Sequence, residues 1–123
     1  MHSLVRTEVT VIINPALTKG SLELLILSIL EDGEFYGYEI TKRIEDRSGS
    51  RLRFRRSSIY PVLGRMEKKG WVVRTWTNGG RKRCYFTLTE DGSRALDRQR
   101  AEWREFTGAV NSVVEDPSSV WIP

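Results

Sequence analysis

At 123 residues and 39% apolar content, the chain has room for one core and little beyond it. A single cysteine, Cys84, excludes an internal disulfide and points to a reducing cytoplasm. The longest apolar run, Leu22 to Leu30, is interrupted by Glu23 and Ser28 and is too short to span a bilayer, and no apolar leader precedes it, so no membrane contact is expected.

The net charge is only +4, but its distribution is uneven: between Thr41 and Arg83 there are 14 Lys or Arg against Glu45, Asp46 and Glu67, a local balance of +11. Such asymmetry within one domain is an electrostatic footprint for a phosphate backbone. On charge alone, an ordinary solvated basic face accounts for it equally well.

In chain order, residues 1–14 form an arm. Val9-Thr10-Val11-Ile12-Ile13 has strand-like character with no partner strand nearby. Packing on the domain or a second subunit and plain disorder both stay open. From Pro15 the pattern is helical: Leu22, Leu25, Ile26, Ile29 and Leu30 share a stripe that Leu24 and Leu27 widen, until Asp32-Gly33 ends it. A helix apolar on so much of its circumference is a core element with a face left for a partner subunit, with Leu22 and Leu25 as candidates. A second helix is expected from Gly37 to Arg47, with Tyr38, Ile40 and Ile44 inward and Ser48-Gly49-Ser50 as its stop. Arg51-Leu52-Arg53-Phe54-Arg55-Arg56 alternates basic and apolar residues and reads as an extended connection.

The third helix is expected to be capped by Ser58, with Pro61 in its first turn and Ile59, Val62, Leu63 and Met66 as its core stripe. Lys68-Lys69-Gly70 ends it, placing cations at the negative end of the helix dipole. Its opposite face carries Ser57, Tyr60, Gly64, Arg65 and Lys68. Two strand-like runs follow, Trp71 to Trp76 and Cys84 to Leu88, joined through Asn78-Gly79-Gly80 and the triplet Arg81-Lys82-Arg83. Asn-Gly is a strong hairpin signal because both residues tolerate positive φ. Thr89 can cap a last helix that starts with Glu90 and Asp91. That helix carries Leu96, Gln99, Trp103, Phe106, Val110 and Val113 at alternating spacings of three and four, with only Gln99 polar. The stripe packs either on its own domain or, as favoured here, on the same helix of a second subunit. Asp116-Pro117 closes it, leaving a tail at 116–123 that bears Trp121.

Catalysis has little to work with. The only imidazole is His2, no Cys and His cluster has zinc spacing, and no Gly-Lys-Ser/Thr follows Gly79-Gly80. No enzyme activity, metal or cofactor is expected. A helix running into a hairpin with a cationic tip is instead how a winged helix-turn-helix meets DNA. The fold class is therefore mainly α with a small β-hairpin: a winged helix-turn-helix over 15–88, a C-terminal dimerisation helix over 89–115, and the arm and tail.

In that arrangement Ser57, Ser58 and Tyr60 enter the major groove, Arg65 and Lys68 meet backbone, and Arg81, Lys82 and Arg83 reach phosphates or the minor groove. Arg53, Arg55 and Arg56 add sequence-independent attraction. Two alternatives from other classes stand beside this: a protein-protein adaptor on a winged-helix scaffold, and a small-molecule-binding protein with vestigial DNA affinity. Neither needs so concentrated a basic face.

The residues also resemble the PadR family of bacterial transcriptional regulators, in its short form with one C-terminal helix. The resemblance rests on Lys19-Gly20-Ser21-Leu22-Glu23-Leu24-Leu25, Tyr36-Gly37-Tyr38-Glu39-Ile40, Ser58-Ile59-Tyr60-Pro61-Val62-Leu63, Gly70-Trp71-Val72, and Gly80-Arg81-Lys82-Arg83 with Tyr85-Phe86, Leu88-Thr89 and Gly92. Each is weak alone; their shared order over about Leu17 to Val114 is specific. It implies a homodimer on a roughly palindromic operator in double-stranded DNA, most often a repressor released by a small molecule. Dimerisation through the first and last helices is implied too. A flat aromatic effector between subunits would fall near Trp103, whose other reading is a dimer-core aromatic without a cavity. The long arm, the basic Arg55-Arg56 pair, the short wing and Gly64 depart from the pattern; a glycine inside a helix costs about 1 kcal/mol against alanine.

Overall fold

The computed structural model describes residues 20–77 and 80–115. The N-terminal arm, the Pro15 start of the first helix, the Asn78-Gly79 turn and the 116–123 tail lie outside the described residues. The elements are α1 (Leu22–Leu30), β1 (Phe35–Tyr36), α2 (Gly37–Arg47), α3 (Arg56–Lys68), β2 (Val72–Trp76), β3 (Cys84–Leu88) and α4 (Glu90–Val114). The fold is thus mainly α, as expected, but the expected hairpin is two strands of a three-stranded antiparallel sheet in the order β1-β3-β2. Phe35 pairs with Phe86 and Tyr36 with Tyr85, so β1 caps the hairpin's inner edge.

The core forms because α1 supplies apolar side chains all round. Ile26 and Leu27 are fully enclosed, and α1 packs against α2, α3 and α4. Ile40 and Ile44 from α2, the expected α3 stripe, and Val72 and Phe86 from the sheet close around it. Each such side chain stabilises the fold by about 1.5–3 kcal/mol. Leu22, Leu24 and Leu25 are half-buried against this core and retain accessible surface.

Three expectations are corrected. Tyr38, placed inward by its apolar ring, is 49% exposed, and Gly37, Ile40, Thr41 and Ile44 form the inner face of α2 instead. Ser58 is not the cap of α3. The cap is Arg55, in extended conformation, and its carbonyl accepts from the amides of Ser58 and Ile59 at 2.9 and 3.3 Å. Phe54 is anchored on the core immediately before, which fixes where the extended segment ends and outweighs the local preference for a serine cap. Pro61 consequently sits inside the helix and offers no amide to the Ser57 carbonyl. Ser57 is exposed, so water can satisfy that oxygen.

The third correction concerns Leu96, expected on a seam between subunits. It is fully buried in its own core beside Ala95. The first turns of α4 therefore belong to the domain, and its apolar stripe becomes exposed only later. Thr89 caps α4 as expected, accepting from the Gly92 amide at 3.0 Å. The same hydroxyl donates to the Gly70 carbonyl at 2.6 Å, and the Thr89 amide donates to the Trp71 carbonyl at 3.0 Å. Gly92 lies so close to Trp71 that a Cβ there would overlap the Trp71 carbonyl oxygen and stand 2.7 Å from Leu88 Cδ1. Farther along, Arg100 grips Glu31 with two hydrogen bonds of 2.7 and 3.1 Å. This pairing holds the Glu31 carboxyl below its ordinary pKa, and Gln99 donates to Glu23 at 2.9 Å.

Candidate nucleic-acid interface

The extended segment before α3 alternates as a strand would. Leu52 and Phe54 pack on the core, which turns Arg51, Arg53 and Arg55 out to solvent. The exposed face of α3 then presents Ser57, Ser58, Tyr60, Arg65 and Lys68, all accessible. The Arg56 guanidinium lies 5.9 Å from the centre of the Tyr38 ring, so the misplaced tyrosine borders this surface. Arg53, Arg55, Arg65, Lys68, Arg81 and Lys82 form no ion pair with another described residue. The cations that are paired, Lys42, Arg47, Lys69, Arg74, Arg94 and Arg100, are not among those expected to meet phosphates.

Tyr60 is less free than its position on the outer face of α3 implied. Its ring lies over Gly37, where a Cβ would stand 2.5 Å from Cζ, and 6.3 Å from Phe86 at a tilt. Gly37 thus exists for close approach of α2 and α3, and it fixes the phenol at their junction.

The wing is tied to the domain at its base. Thr77 and Arg83 exchange two hydrogen bonds, the Thr77 amide to the Arg83 carbonyl at 2.9 Å and the Arg83 amide to Thr77 Oγ1 at 3.0 Å. The Arg83 guanidinium rests 4.9 Å from the centre of the Tyr36 ring, which meets Tyr85 edge-on at 5.6 Å. Arg81 and Lys82 stand free beyond it. On the sheet's inner face Arg74 reaches Glu67 of α3 at 3.1 Å and covers the Phe86 ring at 5.1 Å. Arg74 and Trp76 escaped the sequence reading, although the period-two alternation from Val72 places both on the face that α3 covers. Cys84 pairs across the strands with Trp76, and burial pushes its thiol pKa up, so it is no reactive thiolate.

The later part of α4 carries a second surface. Trp103, Phe106, Val110 and Val113 are exposed, with Trp103 and Phe106 rings 6.2 Å apart and tilted. Beside them a shallow cleft is lined by Glu23, Leu24, Gln99, Glu102, Trp103 and Phe106, among others. Among the described residues no three His, Cys, Asp or Glu side chains gather to hold a metal ion, and no helix is long and apolar enough to cross a membrane.

The fold has close relatives. A transcriptional regulator from Clostridium thermocellum superposes with a TM-score of 0.79 at 26% identity, covering 85% of this chain and 100% of that one. A PadR family transcriptional regulator from Eggerthella lenta gives 0.74 at 30% identity, covering 82% and 88%. PadR of Bacillus subtilis, solved in complex with operator DNA, gives 0.59 at 28% identity, covering 67% of this chain and 47% of that one. That organism's negative transcriptional regulator PadR is 32% identical over 77 residues, and this chain spans 42% of its length. The family is one of regulators rather than enzymes. The model of the transcriptional regulator PadR-like family matches residues 26–98, from the buried half of α1 through the docked turns of α4, and the chain belongs to that family.

Proposed function

We propose that the protein is a homodimeric, sequence-specific repressor that binds a roughly palindromic operator in double-stranded DNA and is released by a small flat aromatic effector. The observation that carries this is the set of unpaired cations on α3, the segment before it and the wing, on a fold shared with a regulator solved on operator DNA. Ser57, Ser58 and Tyr60 read the major groove. Arg53, Arg55, Arg56, Arg65 and Lys68 hold backbone, and Arg81, Lys82 and Arg83 hold phosphates at the flank. Residues 15–88 are the DNA-binding unit, and α4 from Trp103 onward joins the subunits, with Leu22 and Leu25 extending the seam.

Repression is the direction borne by the name of the Bacillus relative. The effector reading rests on the cleft at Trp103 and Phe106, which offers ring surface beside carboxylates. Selection of bound sites from random duplex DNA tests the operator reading. An enriched inverted repeat with half-sites about 34 Å apart, or a multiple of that, is expected of a dimer placing two α3 helices in successive major grooves. Recovery of no motif overturns the operator reading.

A further inference from the structure

Trp76 is 54% exposed at the outer end of β2. Strand side chains alternate between faces, so Val72, Arg74 and Trp76 share the face that α3 covers. Val72 is buried and Arg74 is engaged with Glu67 and Phe86. Trp76 is the next step toward the wing tip, and no ring or cation contact from another described residue holds its indole.

The helix packed on β2 and the wing beyond Trp76 both carry cations outside any ion pair. Arg65 and Lys68 stand free on α3, Arg81 and Lys82 on the wing, and Glu67, the sole carboxylate of α3, is already taken by Arg74. α3 carries no side chain at Gly64, and a Cβ there would meet nothing within 4 Å, so this part of the helix surface is open to a partner. An acidic protein surface would match the cations and leave the indole in contact with charge. One strand of duplex DNA matches both, since its phosphates alternate with the apolar faces of deoxyribose rings.

We propose that Trp76 is a DNA-contacting residue whose indole packs on the deoxyribose face of the strand running between α3 and the wing. It adds an uncharged contribution to a grip otherwise made through phosphates. The proposal rests on the DNA-binding reading and refines it.

The test is fluorescence anisotropy with a labelled mixed-sequence duplex over a salt series, using wild type, Trp76→Ala and Trp76→Phe. Trp76→Ala lowers affinity roughly tenfold, the scale of a lost aromatic stacking contact. The slope of log affinity against log salt stays unchanged, because no counterion release is lost. Trp76→Phe keeps most of the affinity, yet loses the change in tryptophan emission that wild type shows on binding. Equal affinity for wild type and Trp76→Ala overturns the proposal. A shallower slope does so too, since it marks a displaced wing cation. Loss of self-association in Trp76→Ala by light scattering, with DNA affinity intact, assigns the indole to a second copy. Failure of the wild type itself to bind the duplex at low salt overturns the DNA-binding reading.

Discussion

Replacing Gly92 with alanine separates local helix preference from tertiary fit. Gly92 lies in the first turn of α4 with ordinary helical backbone, so propensity alone favours alanine by about 1 kcal/mol. The structure opposes this. The new Cβ would occupy the space of the Trp71 carbonyl oxygen, a backbone atom that cannot swing aside, and would press on Leu88 Cδ1 at 2.7 Å. Relief requires α4 to withdraw from the start of β2 by an ångström or more. That stretches the Thr89 amide bond to Trp71 from 3.0 Å and the Thr89 hydroxyl bond to Gly70 from 2.6 Å. Two such bonds are worth about 1 kcal/mol each, and overpacking adds about 1–3 kcal/mol. After the propensity gain, the net destabilisation is about 2–4 kcal/mol, which lowers the melting temperature of a domain this size by about 8–15 °C. Circular dichroism melts at fixed protomer concentration measure it, since the proposed self-association would make the midpoint concentration-dependent. A Gly92→Ala protein as stable as wild type would refute the reasoning and mean that α4 docks more loosely than its contacts require.

Three further outcomes follow from the same geometry. Gly64→Ala, with open space around its Cβ, raises stability by about 0.5–1 kcal/mol and weakens DNA binding, if close approach of DNA is what the glycine serves; unchanged affinity in a mobility shift removes that rationale. Arg81→Ala with Arg83→Ala lowers affinity on all sequences and reduces the salt slope by about two for two lost phosphate contacts, and an unaltered slope rules the wing out as a phosphate contact. Trp103→Asp with Phe106→Asp, both on exposed ring surface, yields folded monomers; a persistent dimer in light scattering sinks the seam.

Much of the architecture was legible because it is encoded locally. The bounds of α2 follow from helical spacing ended by Ser48-Gly49-Ser50, and the start of α4 from Thr89 followed by two acidic residues. The features that escaped depend on residues far apart in the chain. β1 is two residues long and exists only because β3 pairs with it. The cap of α3 lies at Arg55 because Phe54 is pinned to a core that local capping rules do not see. The spacing of Leu96, Gln99 and Trp103 predicts one face of a helix but not which body covers each part of it. The domain itself covers Leu96, Glu23 engages Gln99, and Trp103 is left open. At the interface the arginines were readable as charge. The restraint of Tyr60 by Gly37 required the packing of α2 on α3, whereas the face that Trp76 takes follows from the alternation along β2.

The docking of α4 has a mechanical consequence. Its turns as far as Arg100 are bolted to the domain through Thr89, Leu96, Gln99 and Arg100, while its far end is free of it. From Arg100 to Val114 the free arm extends about 21 Å at 1.5 Å per residue. A tilt of about 5° at the last bolt sweeps the free end through roughly 2 Å. In a dimer joined at those ends, the same tilt read backwards opens or closes the separation of the two α3 helices. On the proposed reading α4 would be a caliper arm: a small molecule wedged where the arms meet would not have to touch the α3 helices to change the spacing they present to DNA.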